Sequence, residues 1–173
     1  MKKSLLQITM IIPIILLLCF TFSCQQQNKE GITLEEAKAF SDRDLEIWNE
    51  GNLAIADELY DPDYVGHSGE LEDVVGIDAF KEDVTNVRTD FPDFKFTIEE
   101  IFVKDDKIVE RWIATGTSVG TTDKKIRVSG VSILHVVNGK FVERWTHYNE
   151  ATVLRQLGFT FTPPQPPAPQ EKE

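Results

Sequence analysis

From Phe94 to Tyr148 the chain runs through four stretches that alternate apolar and polar residues, separated by turn signals, and this constrains the fold more than any other feature. Phe94, Phe96 and Ile98 lead a first strand that reaches Val103 before Asp105-Asp106 turns the chain. Lys107 to Thr117 is a second strand, Gly116 to Lys124 a loop, and Lys125 to Val137 a third strand. Asn138-Gly139 is a strong two-residue hairpin signal into the fourth, because both residue types tolerate positive φ. An antiparallel meander of this kind needs a layer over one face.

The preceding residues supply that layer as three helices. Thr33 and Glu36 form a capping box, and Leu34, Ala37, Phe40, Leu45 and Trp48 follow at roughly helical spacing until Gly51. Asn52 caps a short second helix through Leu59 and Tyr60, which Asp61-Pro62 ends. Tyr64 to Ser68 is a brief extended piece carrying His67, and a third helix from about Ile77 to Phe91 stops at Pro92. The expected fold class is α+β, three N-terminal helices packed on a curved, mainly antiparallel sheet, with a cavity between the concave sheet face and the helices. Such a cavity is the usual place for a small-molecule site.

The ends of the chain differ from its middle. Residues 1–23 combine Lys2 and Lys3 with an apolar run from Ile8 to Phe22 and read as a lipoprotein signal, with Cys24 as the acylated residue. A retained single-span anchor is the other reading of the same stretch. Residues 24–30 form a polar tether, residues 31–161 the single folded domain, and residues 162–173 a disordered proline-rich tail. The expected location is the bacterial cell envelope, with the membrane reached through the lipid anchor. Both cysteines, Cys19 and Cys24, precede the domain, so its core holds no disulfide and its chemistry no thiol. Without Lys2 and Lys3, 16 basic residues face 29 acidic ones, which argues against a nucleic-acid partner, since phosphate binding needs a basic footprint.

In the last strand Glu143, Trp145, His147 and Asn149 fall on one face. Burying an imidazole and an amide costs free energy unless partners or a ligand satisfy them, so this face lines either a pocket or solvent. His147 is the best base there, because imidazole titrates near neutral pH; the other reading is an edge histidine. His135, in the run SILHVVNG, is either pocket-lining or a core histidine, and His67 either a rim or a loop residue. Glu143 tunes one of the rings or faces water. Tyr64, Trp112 and Trp145 read as walls of a binding site. The three histidines lack the close spacing of a legible metal site.

The ordered set YDPDYVGH (Tyr60 to His67), G-x-D-A-F (Gly76 to Phe80), FPDFKFTIEE (Phe91 to Glu100), ERWIATGTSVG (Glu110 to Gly120) and GKFVERW with QLG (Gly139 to Gly158) resembles the SnoaL-like polyketide and ester cyclases. These belong to the superfamily named for nuclear transport factor 2, a cone-shaped α+β barrel. The resemblance implies a pocket without cofactor or metal that closes rings by intramolecular aldol condensation on a small apolar or aromatic substrate, and homodimers by analogy. In the family pattern an acid/base aspartate stands four residues after the last-strand tryptophan, where this chain has Asn149. An amide takes up no proton at ordinary pH. The expectation is therefore a cyclase-type enzyme with His147 or His135 as base and Asn149 as neutral donor. The alternative is a non-catalytic binding lipoprotein.

Overall fold

A computed structural model describes residues 31–69, 71–120 and 123–162. The lipoprotein signal, the tether with Cys24, and the tail from residue 163 lie outside the described residues.

Helix α1 (Leu34–Glu50) starts at the predicted capping box. The Thr33 N–H donates to Glu36 Oε2 at 2.9 Å and the Glu36 N–H donates to Thr33 Oγ1 at 3.2 Å. Gly51 closes the helix at φ 74°, a value that favours glycine. Helix α2 (Ala54–Leu59) is capped by Leu53 rather than Asn52, with no side-chain cap bond. It runs directly into β1 (Tyr60–Ser68), so Pro62 sits inside a strand, where the register slips between Tyr60 and Val65. Proline is tolerated there because an irregular strand leaves its missing N–H unneeded. A two-residue strand β2 (Val74–Val75), unpredicted because it is too short to show periodicity, precedes α3 (Ile77–Asp90). Strands β3 (Lys95–Lys104), β4 (Lys107–Thr117), β5 (Lys125–Val137) and β6 (Lys140–Tyr148) follow the predicted meander, and α4 (Glu150–Leu157) ends at Gly158.

The strands form one sheet in the order β2-β1-β6-β5-β4-β3, antiparallel throughout except for β1 beside β6. Register breaks between Ile98 and Glu100 and between His135 and Val136 curve it. The second break decides what β6 presents. Val136 pairs with Phe141 and His135 with Glu143, so Val142 is an extra residue. Phe141 faces the core, and after the extra residue the inward set becomes Arg144, Thr146 and Tyr148.

The inner face is filled at one end and hollow at the other. Tyr60, Ile108, Leu134 and Phe141 are fully buried, with the Tyr60 ring stacked 4.1 Å from Phe80. Along β4 the inward residues pass from Ile108 through buried Glu110 to Trp112 and Ala114, which border the hollow. Trp112 lies flat on β5 because Gly130 sits beneath it: a Cβ there would come within 2.3 Å of the indole.

Candidate functional site

The hollow is a cavity of about 380 Å³ between the inner sheet face and helices α1 and α3. Trp48, Phe80, Phe94, Phe96 and Trp112 give it aromatic walls, and His67, Leu71 and Glu72 border it as well. Its polar groups are Asp83 from α3, Ser132 from β5, and Arg144, Thr146 and Tyr148 from β6.

Arg144 belongs to a buried ionic cluster. It pairs with Asp44 of α1, and Asp44 Oδ1 also accepts a hydrogen bond from the Tyr60 hydroxyl at 2.5 Å. Glu110 Oε1 accepts one from Ser41 at 2.5 Å. Burial works against the charge of Arg144, but Asp44, Tyr60, Tyr64 and Glu110 outweigh it and hold the guanidinium charged. Burial pushes the Glu110 carboxyl up to about 7 and Tyr64 up to about 12, Arg144 opposing both shifts. Burial likewise raises Asp83, again opposed by Arg144. One donor in this cluster is unused: Arg144 Nε is buried and has no hydrogen-bond partner, as is Trp48 Nε1.

The placement of the sequence-predicted residues divides them. Tyr64 and Trp112 line the cavity; His67 borders it, but its ring lies with Trp145 and Glu143 on the other face of the sheet. His135, Glu143, Trp145 and His147 do not, which corrects the expectation that this row lines the pocket. The extra residue at Val142 turns 143, 145 and 147 to the outer sheet face, where Glu143 stands opposite His135 and His147 opposite Val131. His135 Nε2 meets Asp106 Oδ2 at 2.9 Å, and His147 is exposed. Asn149 is exposed too; it is the N-cap of α4, its Oδ1 accepting from the Thr152 N–H at 3.0 Å, and it is no oxyanion donor in the cavity.

His67 is committed on both nitrogens. Nδ1 lies 2.8 Å from Asp73 Oδ1 and Nε2 lies 3.0 Å from Glu143 Oε1, while its ring stacks on Trp145 at 5.5 Å. The hydrogen bond to Asp73, with Glu143 adding to it, raises the ring above its ordinary value despite some desolvation. An imidazole clamped this way ties β1 to β6 and to the residue before β2; it has no free nitrogen to serve as a base. Among the described residues no group of three or more His, Cys, Asp and Glu is arranged to hold a metal ion, and no helix is long and apolar enough to cross a membrane.

The groups that sequence reasoning missed carried a signal. Asp83 is three residues after Phe80 and four before Val87, on the helix face that those two residues turn inward. Asp44 falls between Ser41 and Ile47 on the buried stripe of α1. Glu110 alternates with Ile108 and Trp112.

These groups set the pH dependence of stability. Between the ordinary glutamate value and about 7, folded Glu110 binds a proton that the unfolded chain has released, so stability falls as pH rises through that window. The size is on the order of 3 kcal/mol by about 1.4 kcal/mol per pH unit. Asp83, also raised, has the same sign. His67, raised, contributes stability that is complete below the ordinary histidine value and lost as pH climbs through its folded value. Asp93, Glu100 and Asp106, each lowered by a hydrogen bond from its partner, lose their contribution as pH falls through their folded values. Stability therefore peaks on the acid side of neutrality. In urea titrations at pH 5.5 and pH 8, wild type is the less stable at pH 8, and Glu110→Gln removes most of that difference; an unchanged difference would acquit Glu110.

Comparison with known proteins agrees with this architecture. Residues 40–157 match the family model described as SnoaL-like polyketide cyclase. A search of curated proteins finds no match. Among solved structures, TsrD from Streptomyces laurentii has 20% identity and a TM-score of 0.66, over 73% of this chain and 98% of that one, and so bears on fold alone. A candidate polyketide cyclase from Bacillus cereus has 28% identity and a TM-score of 0.63, over 71% and 80% of the two chains. AclR, a candidate hydroxylase from Streptomyces galilaeus, has 26% identity and a TM-score of 0.63, over 73% and 98%.

Proposed function

The chain belongs to the SnoaL-like polyketide cyclase family, and from that premise we propose that its cavity binds a small, largely apolar or aromatic carbonyl compound and removes a proton next to the carbonyl, with Asp83 as the base. The observation that carries this reading is the pairing, on one aromatic cavity, of a carboxylate with an unused buried guanidinium donor. Asp83 takes the proton from the α carbon. The negative charge moves to the carbonyl oxygen, where the Arg144 guanidinium bordering the cavity receives it through a charge-assisted hydrogen bond. In a substrate with a second carbonyl the enolate carbon attacks it, a carbon–carbon bond forms, and the new alkoxide takes the proton back from Asp83. No proton is gained or lost overall.

The test is hydrogen exchange at carbon. Incubated in heavy water with 1-tetralone, an enolisable bicyclic ketone, the protein is expected to speed deuterium uptake at the α position above the buffer rate, saturably and with competition by other bicyclic ketones. Exchange no faster than buffer, despite measurable binding, would leave the second reading: a non-catalytic binding protein. The amide at position 149, exposed and engaged in capping α4 where the family pattern has its acid/base aspartate, favours that second reading.

The anchor is proposed on the leader alone. T-F-S-C before a polar stretch supports acylation of Cys24 and a place in the cell envelope, which the mass of the mature N-terminal peptide checks.

A further inference from the structure

A hydrogen-bond chain inside the cavity ends in a proton that no protein atom accepts. Trp112 Nε1–H donates to Ser132 Oγ at 2.9 Å, and Ser132 Oγ lies 3.0 Å from Thr146 Oγ1. The indole, the serine and the threonine bring three donor hydrogens to two bonds. If Ser132 donates to Thr146, the threonine hydrogen is left over; if the direction reverses, the serine hydrogen is. Ser132 is 3% exposed, and both side chains line the cavity. A buried donor without an acceptor is rarer and costlier than an under-used lone pair, so the spare O–H suits a ligand oxygen. The pair is held in place: Ser132 and Thr146 are directly opposite on β5 and β6, and the indole that orients them is seated on Gly130.

Thr146 is two residues beyond Arg144 on the inward face of β6, roughly 7 Å along a strand. Two unsatisfied donors therefore stand in line on one strand, the guanidinium Nε–H and the hydroxyl pair.

Resting on the reading of Arg144 as the partner of the first carbonyl, we propose that the Ser132–Thr146 pair is a specificity determinant that holds a second acceptor oxygen of the substrate. The site then prefers bicyclic or larger compounds carrying two carbonyl oxygens to those carrying one, and does not prefer compounds with a hydrogen-bond donor at the second position.

Tetralin, 1-tetralone and 1,4-naphthoquinone share a bicyclic skeleton and carry none, one and two carbonyl oxygens. Both cysteines precede residue 31, so the quinone meets no thiol in the cavity. Binding to the full chain, followed by tryptophan fluorescence, is expected to tighten in that order. Ser132→Ala/Thr146→Val, which removes both hydroxyls at little change in volume, is expected to weaken 1,4-naphthoquinone about fivefold, the loss of one neutral hydrogen bond. Tetralin and 1-tetralone stay within twofold, which also shows the cavity intact. Thr146→Val alone gives a smaller loss of the same kind. Equal quinone affinity in wild type and double variant overturns the proposal, as does a parallel weakening of all three ligands. If 1-tetralone binds no tighter than tetralin while the quinone-specific loss is seen, the pair stands and the role of Arg144 falls. If wild type binds none of the three, the cavity reading falls and this proposal with it.

Discussion

Asp83→Asn exchanges the α-hydrogens of 1-tetralone at least ~100-fold more slowly than wild type, the scale of a lost general base, while binding the ketone within about twofold. Asparagine fills the same space and keeps a polar group on the cavity wall, but cannot accept the proton. The rate of the unaltered protein falls on the acid side as Asp83 protonates, at a higher pH than for an ordinary aspartate because burial raises this carboxyl. His135→Gln and His147→Gln, both altered on the outer sheet face, exchange at the wild-type rate. An Asp83→Asn protein with full activity would place the base elsewhere. A large loss in His147→Gln with none in Asp83→Asn would restore the imidazole that the strand pattern alone favours.

The architecture was legible because it is written in local signals. The capping box at Thr33 and Glu36, the Asn138-Gly139 hairpin and the alternation along β4 and β5 each fix an element without long-range information. What could not be read was the orientation of β6. Strand periodicity correctly grouped Glu143, Trp145 and His147 on one face, but one extra residue at Val142 decides which face that is. No feature of FVER marks the slip, since it arises from pairing with β5. The resemblance pointed to the cavity and to Tyr64 and Trp112 on its wall, while the His67 ring turned out to share the outer face with Trp145. It could not find Asp83, which lies on a helix outside the motifs that carry the family chemistry. Arg144 was hidden differently: a charged residue beside Glu143 on a strand reads as solvated surface, and only the fold reveals Asp44 waiting one hundred residues away.

Arg144→Leu is expected to be the most destabilising of these substitutions, by about 3 to 5 kcal/mol, because it strips the counter-charge from a buried carboxylate. Asp44 is 2% exposed and would keep only the Tyr60 hydroxyl, and Glu110 would climb further above its raised value once the guanidinium that lowers it is gone. Urea titration measures the loss as a fall in midpoint at constant slope. Asp44→Asn in the same chain is expected to recover the larger part of it: the amide is neutral, and its oxygen still accepts from Tyr60. That rescue separates two roles of one side chain. If Arg144 serves only to neutralise Asp44, the rescued double variant regains ketone exchange along with stability. If the guanidinium receives the developing oxyanion, the double variant folds, binds tetralin as wild type does, and exchanges 1-tetralone ~100-fold more slowly, the usual loss for one such donor. Arg144 borders the cavity together with Asp83, and it keeps donor capacity beyond its pairing with Asp44, which favours the second outcome over a purely structural arginine.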